Sequence, residues 1–284
     1  MLVILRKDYG QLGNRLHTHA NILAWCIEHN LALINLSFSK EAQYFSKYND
    51  QLVKHLIQNR GFLKYFINLC KMDSFLRKLT LSDKWLLRMK KFIYIVERND
   101  NQTLHEIDLN QILKRENKKV IIIRAWDIRC SQLLNKHAKK IREIFQPNHK
   151  ILLDIENYIK ALPKHDYLVG IHARQGDYKF WENGKYFFSW KNYFDWMIIL
   201  EKRLRLKNKS PLFIICSDSN PPKMIESYHN CFCPNQNAIT ELYLLANCDL
   251  NVGPPSSYGT WAQFYKNNKR ICLKSKDVNI EDYL

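Results

Sequence analysis

Residues 172–177 place a histidine and an arginine two positions apart at the end of an apolar run. That run starts near Tyr167 and predicts a buried strand, in which side chains two positions apart project on the same side. Arg174 can then fork onto a diphosphate through charge-assisted hydrogen bonds, and His172 can hydrogen bond to a base or a phosphate. The alternative is that Arg174 and Asp177 form an ion pair that only holds the loop.

A second polar pair, Ser217 and Asp218, follows the apolar run at 212–216. A carboxylate at the end of a strand can accept hydrogen bonds from ribose hydroxyls or from the ring N–H and amino groups of guanine. It can also cap a helix that starts at residues 221–222, where two prolines suit the first turn. Taken alone, this pair favours the capping role.

Two consecutive serines, Ser256 and Ser257, precede Tyr258 at the predicted start of a helix. Their hydroxyls lie beside unpaired backbone N–H groups at the positive end of the helix dipole, which is an arrangement suited to phosphate. The alternative is that one serine is a plain helix cap.

Near the start of the chain, residues 10–15 (GQLGNR) form a glycine-bearing turn between a predicted strand and a predicted helix. Such a turn lets a ligand approach the backbone closely. It lacks both the G-x-G-x-x-G spacing and a Walker lysine, so it indicates neither dinucleotide nor ATP binding. His17 and His19 follow, but residues two apart on a helix do not share a face, which argues against a metal pair.

The elements that must position these residues alternate between strands and helices along both halves of the chain. This alternation predicts an α/β protein with parallel, doubly wound sheets. We expect two Rossmann-like domains facing a cleft, an acceptor-side domain over 1–160 and a nucleotide-binding domain over 161–284. A basic helical insertion is predicted near 62–95. Because ligands bind beyond the carboxyl ends of the strands in such sheets, the polar segments are expected to lie at those ends.

The amino-acid composition narrows the classes of ligand and partner that the protein can bind. The 284 residues carry a formal net charge of +17 and 46% hydrophobic residues, which excludes a disordered chain and favours anionic ligands. There is no Asp-x-Asp sequence, the simplest sign of a carboxylate-held metal, so the charge of a leaving diphosphate would be offset by arginine and a helix N-terminus. No apolar stretch is long enough for a signal peptide or a membrane span, so we expect a soluble, cytoplasmic protein whose eight cysteines are reduced.

Together these segments resemble the α1,2-, α1,6- and protein O-fucosyltransferase superfamily, particularly the short bacterial α1,2-fucosyltransferases. Residues 172–177 (HARQGD) are similar to the family's H-x-R-R-x-D motif, and residues 217–218 to its second motif. Residues 255–261 (PSSYGTW) are similar to the third motif, and residues 10–15 to the family's N-terminal G-x-G-N loop. Residues 40–118 have no counterpart.

The resemblance implies a GT-B fold, inversion at the anomeric carbon, no required metal or other cofactor, and GDP-fucose held mainly by the C-terminal half. It implies that Arg174 contacts the diphosphate, that Asp218 contacts guanine or ribose, and that Asn14 lies near the transferred sugar and the acceptor. The positions that it implies to be substrate-binding are Gly13, Arg15, His172, Ser217, Asp218, Ser256, Ser257 and Tyr258.

One departure from the family motif keeps another GDP-sugar, such as GDP-mannose, open as the donor: Gln175 stands where the family has a second arginine. For the base that takes the acceptor's proton, the candidates are Asp177, Glu182 and His17, and Asp177 leads only by its proximity to Arg174.

The acceptor is expected to be a glycan, with a lipid-linked glycan as one option. The basic region 62–95 suggests peripheral contact with the inner face of an anionic membrane. A nucleic-acid-binding protein is the main alternative from another class, but the charge forms no recognisable nucleic-acid module. A further alternative is a plain α/β domain whose motifs are caps and turns.

Overall fold

A computed structural model describes residues 1–6, 10–38, 41–48, 93–99, 102–114 and 119–283. The predicted basic helices of 62–95 lie outside the described residues, apart from residues 93–95, which belong to a strand. No described helix has the length and apolarity that crossing a bilayer requires.

The chain divides into two compact units, Met1–His149 and Lys150–Leu284. The sequence analysis placed the domain boundary after residue 160, whereas this division assigns nearly all of the helix that covers residues 149–160 to the second unit. Tyr158 of that helix has its neighbours in the second unit. Burial raises the pKa of Tyr158, and groups of that unit, among them the Cys216 thiol and the Glu241 carboxyl, raise it further.

The first unit holds a parallel sheet with helices between its strands. Its strands are β1 (Leu2–Leu5), β2 (Ala32–Asn35), β3 (Ile93–Glu97), β4 (Leu104–His105), β5 (Val120–Arg124) and β6 (Ile128–Arg129). Its helices are α1 (Leu12–Glu28), α2 (Glu106–Leu113), α3 (Ser131–Lys136) and α4 (Ala138–Ile144).

The main sheet of this unit has the strand order β2-β1-β5-β3, and β4 pairs with β6 in a small parallel ribbon. β1 and β5 occupy the centre, and Leu2, Ile4, Val120 and Ile122 pack into one core cluster. Central strands of a parallel sheet are covered on both faces, which explains why these two strands are continuous apolar runs.

The second unit repeats this plan. Its strands are β7 (Tyr167–Ala173), β8 (Pro211–Ser217), β9 (Cys231–Phe232), β10 (Leu250–Gly253) and β11 (Lys269–Cys272). Its helices are α5 (His149–Lys160), α6 (Trp190–Leu206), α7 (Lys223–Glu226), α8 (Ala238–Ala246) and α9 (Ser257–Lys266).

All strands of the second sheet run parallel in the order β11-β10-β7-β8-β9. β7 is therefore flanked by β10 and β8, and the ends of these three strands are neighbours. Gly253, the last residue of β10, permits this close packing, because a Cβ there would lie 2.6 Å from the carbonyl oxygen of His172. The predicted α/β class with parallel sheets is confirmed.

Candidate functional site

Three loops of the second unit meet where β7, β8 and β10 end. They begin at Arg174, at Asp218 and at Pro254. The pairing of His172 with Cys216 and of Ile171 with Val252 brings the ends of the three strands into line. The three polar segments singled out in this half of the sequence therefore lie together.

Arg174 is held by two carboxylates. Its Nη2 donates to Asp177 Oδ1 at 2.5 Å, and its Nε lies 3.5 Å from Asp218 Oδ2. The guanidinium carbon also lies 5.1 Å from the centre of the Tyr178 ring. The ion pair with Asp177 that the sequence left as an alternative is thus present, and the arginine side chain is only 12% exposed. These contacts fix the orientation of the guanidinium.

Asp218 binds the backbone of the Arg174 loop. Its Oδ1 accepts hydrogen bonds from the N–H groups of Gln175 at 2.7 Å and Gly176 at 3.2 Å. The capping alternative for Asp218 is wrong: α7 begins at Lys223 behind Pro222, with no side-chain cap. Ser217 is the last residue of β8, and its hydroxyl accepts from the N–H of Ser219 at 3.2 Å.

Ser256 caps α9 and also contacts the β7 end. Its hydroxyl oxygen accepts from the N–H of Tyr258 at 3.1 Å and lies 3.2 Å from His172 Nε2. The Tyr258 ring stacks on the His172 ring at 4.8 Å between centroids, and Ser257 is the first residue of the helix. The capping alternative therefore holds for Ser256, which accepts from the Tyr258 N–H, while the N-terminus of α9 keeps the positive end of the helix dipole, a feature suited to anions.

His172 is a buried, neutral imidazole. Burial, and then the positive charges of Arg174 and Arg270, lower the pKa of His172 to about 3. At neutral pH the ring therefore carries no charge and acts as a hydrogen-bonding and stacking group.

Two further residues hold the loop before α9, and no motif pointed to them. Arg270 Nη2 donates to the carbonyl of Pro254 at 2.7 Å, and the Tyr178 hydroxyl donates to the carbonyl of Pro255 at 2.5 Å. Burial lowers the pKa of Arg270, and none of the carboxylates in the described part of the chain forms an ion pair with it. The only available signal was a basic residue directly before the short apolar run at 271–273.

Gln175, the departure from the family motif, points into the unit. Its side chain is buried, and its Nε2 donates to the carbonyl of Phe188 at 2.8 Å. The same Nε2 donates to the backbone carbonyl of Arg174 at 3.3 Å, so the amide at this position anchors the backbone of the loop.

The remaining predicted site residues lie in the first unit, at the turn between β1 and α1. Gly10 has φ +62°, and the Asn14 side chain packs against its Cα. Arg15 Nη1 forms an ion pair with Glu41 at 2.5 Å, and Gly13 is buried in the first turn of α1. Their predicted roles toward the sugar and acceptor stay predictions.

In the described ranges no group of three or more His, Cys, Asp or Glu side chains has an arrangement that could hold a metal ion. The arrangement around Arg174 and the N-terminus of α9 is suited to an anion, because guanidinium groups, a hydroxyl and the positive end of a helix dipole lie there.

Solved structures with this fold can be compared with the chain. Arabidopsis thaliana FUT1 in complex with GDP aligns over 99% of this chain and 73% of its own, with a TM-score of 0.61 and 13% identity. POFUT1 in complex with GDP aligns over 96% of both chains, with a TM-score of 0.56 and 10% identity. Fucosyltransferase NodZ from Bradyrhizobium aligns over 92% of both, with a TM-score of 0.51 and 13% identity.

The chain has the fold of these fucosyltransferases. The GT-B-like class inferred from the sequence is confirmed by this likeness, which spans both units. No protein-family model matches the sequence, and no curated protein sequence does.

Proposed function

We propose that this protein is a glycosyltransferase that transfers fucose from GDP-fucose to a hydroxyl group of a glycan, with inversion and without a required metal. The observation that carries the proposal is the convergence of the three motif-bearing loops at the ends of β7, β8 and β10, in a chain that shares its fold with fucosyltransferases. POFUT1 and NodZ have both been determined with GDP-fucose, which supports this donor.

The contacts support a specific donor pose. The diphosphate would lie between Arg174 and the N-terminus of α9, where Ser256 and Ser257 begin the helix. As the bond from the anomeric carbon to the diphosphate breaks, the charge that develops on GDP would be offset by the guanidinium and the helix N-terminus. His172, neutral and stacked on Tyr258, would lie beside the nucleotide as a hydrogen-bonding group.

Among the candidate bases, Glu182 is better suited than Asp177. The Asp177 carboxylate is already engaged by the Arg174 guanidinium, whereas Glu182 is exposed and forms no ion pair with any residue in the described ranges. His17 is buried in α1. Glu182 would take the proton of the acceptor hydroxyl as the new glycosidic bond forms.

GDP-mannose remains the second candidate donor because of Gln175. The Gln175 side chain is buried and anchors the backbone of its loop, which weakens that argument but does not select fucose. A lipid-linked acceptor and the inner membrane face as the place of action rest only on the basic composition of residues 62–95.

The test is the release of GDP from GDP-fucose and from GDP-mannose in the presence of a mixed glycan library, with and without a chelator. We expect turnover of GDP-fucose that the chelator does not change, a loss of about 100-fold or more in kcat for Glu182→Gln, and a smaller loss for Asp177→Asn. If only GDP-mannose is turned over, the donor is GDP-mannose and not GDP-fucose. If the chelator inhibits the reaction fully, the enzyme requires a metal.

A further inference from the structure

The loop that follows Arg174 carries the most exposed large hydrophobic side chain in the described part of the chain. Phe180 is 84% exposed, and its neighbour Trp181 is 42% exposed. A phenylalanine left in water forgoes the free energy that burial of its ring would provide. Two such rings side by side, a few residues from a candidate catalytic centre, form an exposed apolar surface of the kind that binds ligands.

A row of aromatic rings connects this surface with the donor site. The Arg174 guanidinium lies on Tyr178, the Tyr178 and Trp181 ring centres are 4.8 Å apart, and those of Trp181 and Tyr186 are 5.3 Å apart. Trp181 is thus supported by rings, whereas Phe180 has no ring partner among the described residues. The free ring is the one available for stacking.

The backbone beside Phe180 is strained. Glu182 (φ 52°, ψ 39°), Asn183 (φ 55°, ψ 34°) and Gly184 (φ 74°) are three consecutive residues in the left-handed region. This conformation costs an L-residue about 1–2 kcal/mol. Asn and Gly adopt this region readily, so the strain falls on Glu182, whose carboxylate the turn holds next to the exposed rings.

The charge of the loop indicates what kind of ligand fits. Within residues 177–187 the acids Asp177 and Glu182 balance the bases Lys179 and Lys185, so the loop is neutral in a chain of net charge +17. The two ammonium groups lie over the rings of neighbouring aromatics. A neutral loop with two carboxylates gives no attraction for a polyanion or an anionic bilayer.

We propose that residues 180–184 form the acceptor-sugar subsite, in which the Phe180 ring stacks on the apolar face of a neutral pyranose and Asn183 and Glu182 bind its hydroxyls. An exposed aromatic face beside planar polar groups matches a ring that is apolar on its faces and hydroxylated at its rim. This inference rests on the proposed function, because it assigns the second substrate of the same reaction.

The experiment is saturation-transfer NMR with lactose, N-acetyllactosamine and N,N′-diacetylchitobiose in the presence of GDP, combined with calorimetric GDP binding on the same samples. Phe180→Ala should weaken binding of the bound saccharide about 10-fold, as expected for the loss of one aromatic stacking contact. Phe180→Trp should restore it. The control Tyr283→Ala, an exposed ring in the same unit, should change nothing.

Binding of GDP should be the same in wild type and in every variant, which also shows that each one folds. If none of the saccharides binds wild type, or if they bind Phe180→Ala equally well, the acceptor subsite is wrong. If GDP itself does not bind the wild type, the proposed function is wrong. Retention on phosphatidylglycerol vesicles that depends on Phe180, with unchanged saccharide binding, would assign the rings to a membrane and overturn the proposal.

Discussion

The two units have parallel sheets of similar plan but differ in how the polar groups after their strands are used. In the first unit the polar side chains of α1 contact separate partners: Arg15 with Glu41, the Thr18 hydroxyl with the carbonyl of Trp126, and His19 with Asn35. In the second unit they form one network across three loops.

That network has its organising groups in different loops. Asp218 from one loop holds the backbone and the guanidinium of the next, Ser256 from the third contacts His172, and Arg270 has no carboxylate partner among the described residues. The comparison teaches that similar sheets do not imply similar sites. The second unit holds its charged groups in fixed orientations through contacts between loops, and its Arg270 guanidinium forms no ion pair with a carboxylate in the described part of the chain.

Among the residues that orient Arg174, Asp218 is expected to have the largest effect when it is replaced. Asp218→Ala leaves two backbone N–H groups without their acceptor and releases one side of Arg174, so GDP affinity should fall by about 10-fold or more. Asp218→Asn keeps a neutral acceptor and should lose less. Asp195→Ala, which removes only an exposed ion pair with Lys191, is the calorimetric control. Equal affinity for all three variants would contradict the organising role.

The buried histidines allow a comparison of the units by pH. Burial lowers the pKa of His19 to about 3, and burial with two neighbouring arginines does the same for His172. Both folded-state values lie below the unfolded value, so the unfolded chain binds protons first as pH falls. The stabilisation is fully present above about pH 6.5 and is lost as pH falls from there toward 3.

Thermal unfolding of His19→Gln and His172→Gln between pH 7 and pH 5 measures this loss. Each variant should show a shallower decline than wild type, by up to about 1.4 kcal/mol per pH unit. GDP should reduce the effect for His172 only, since a diphosphate offsets the charge of the arginines. If GDP also changes the pH dependence of stability in His19→Gln, the proposed difference between the two units is wrong.

The smallest expected effect is a change in the pH dependence of stability, and it involves two carboxyl groups, one in each unit. Burial raises the pKa of Glu241 in α8 to about 7, whereas hydrogen bonds from Lys136 and His137 lower the pKa of Glu28 in the first unit. For Glu241 the folded state binds the proton more tightly, so stability falls as pH rises from about 4.5 to 7.

Glu241→Gln keeps an oxygen that can accept from the Gln236 N–H and should raise stability at pH 8 by about 1 kcal/mol, with no gain at pH 4. Glu28→Gln should lower stability at pH 8. Thermal unfolding at the two pH values checks both signs, and a gain from Glu28→Gln would show that its ion pairs do not stabilise the first unit.

Much of this arrangement could be predicted from sequence. Continuous apolar runs predicted β5, β7 and β8, because central parallel strands are buried on both faces. The rule that ligands bind at the carboxyl ends of strands correctly brought Arg174, Asp218 and Ser256 together. These inferences need only local patterns and one general property of parallel sheets.

What the sequence could not predict depends on contacts between distant residues. Asp218 lies 42 residues from the Gly176 N–H group that it binds, and a capping role was the simpler local interpretation. Arg270 carries no motif, and its place beside Pro254 follows from the order of the strands. The left-handed turn at Glu182 had only a local Asn-Gly as a signal, which does not predict three consecutive left-handed residues.

The central claim, that the second unit holds the donor nucleotide, is tested most directly by calorimetric binding of GDP, UDP, CMP and ADP to wild type, Arg174→Ala and Arg15→Ala without added metal. We predict selective binding of GDP that is lost in Arg174→Ala and stays within about threefold of wild type in Arg15→Ala, since a guanidinium that binds a diphosphate contributes several charge-assisted hydrogen bonds. Preference for UDP, or GDP binding that survives Arg174→Ala, would contradict the account.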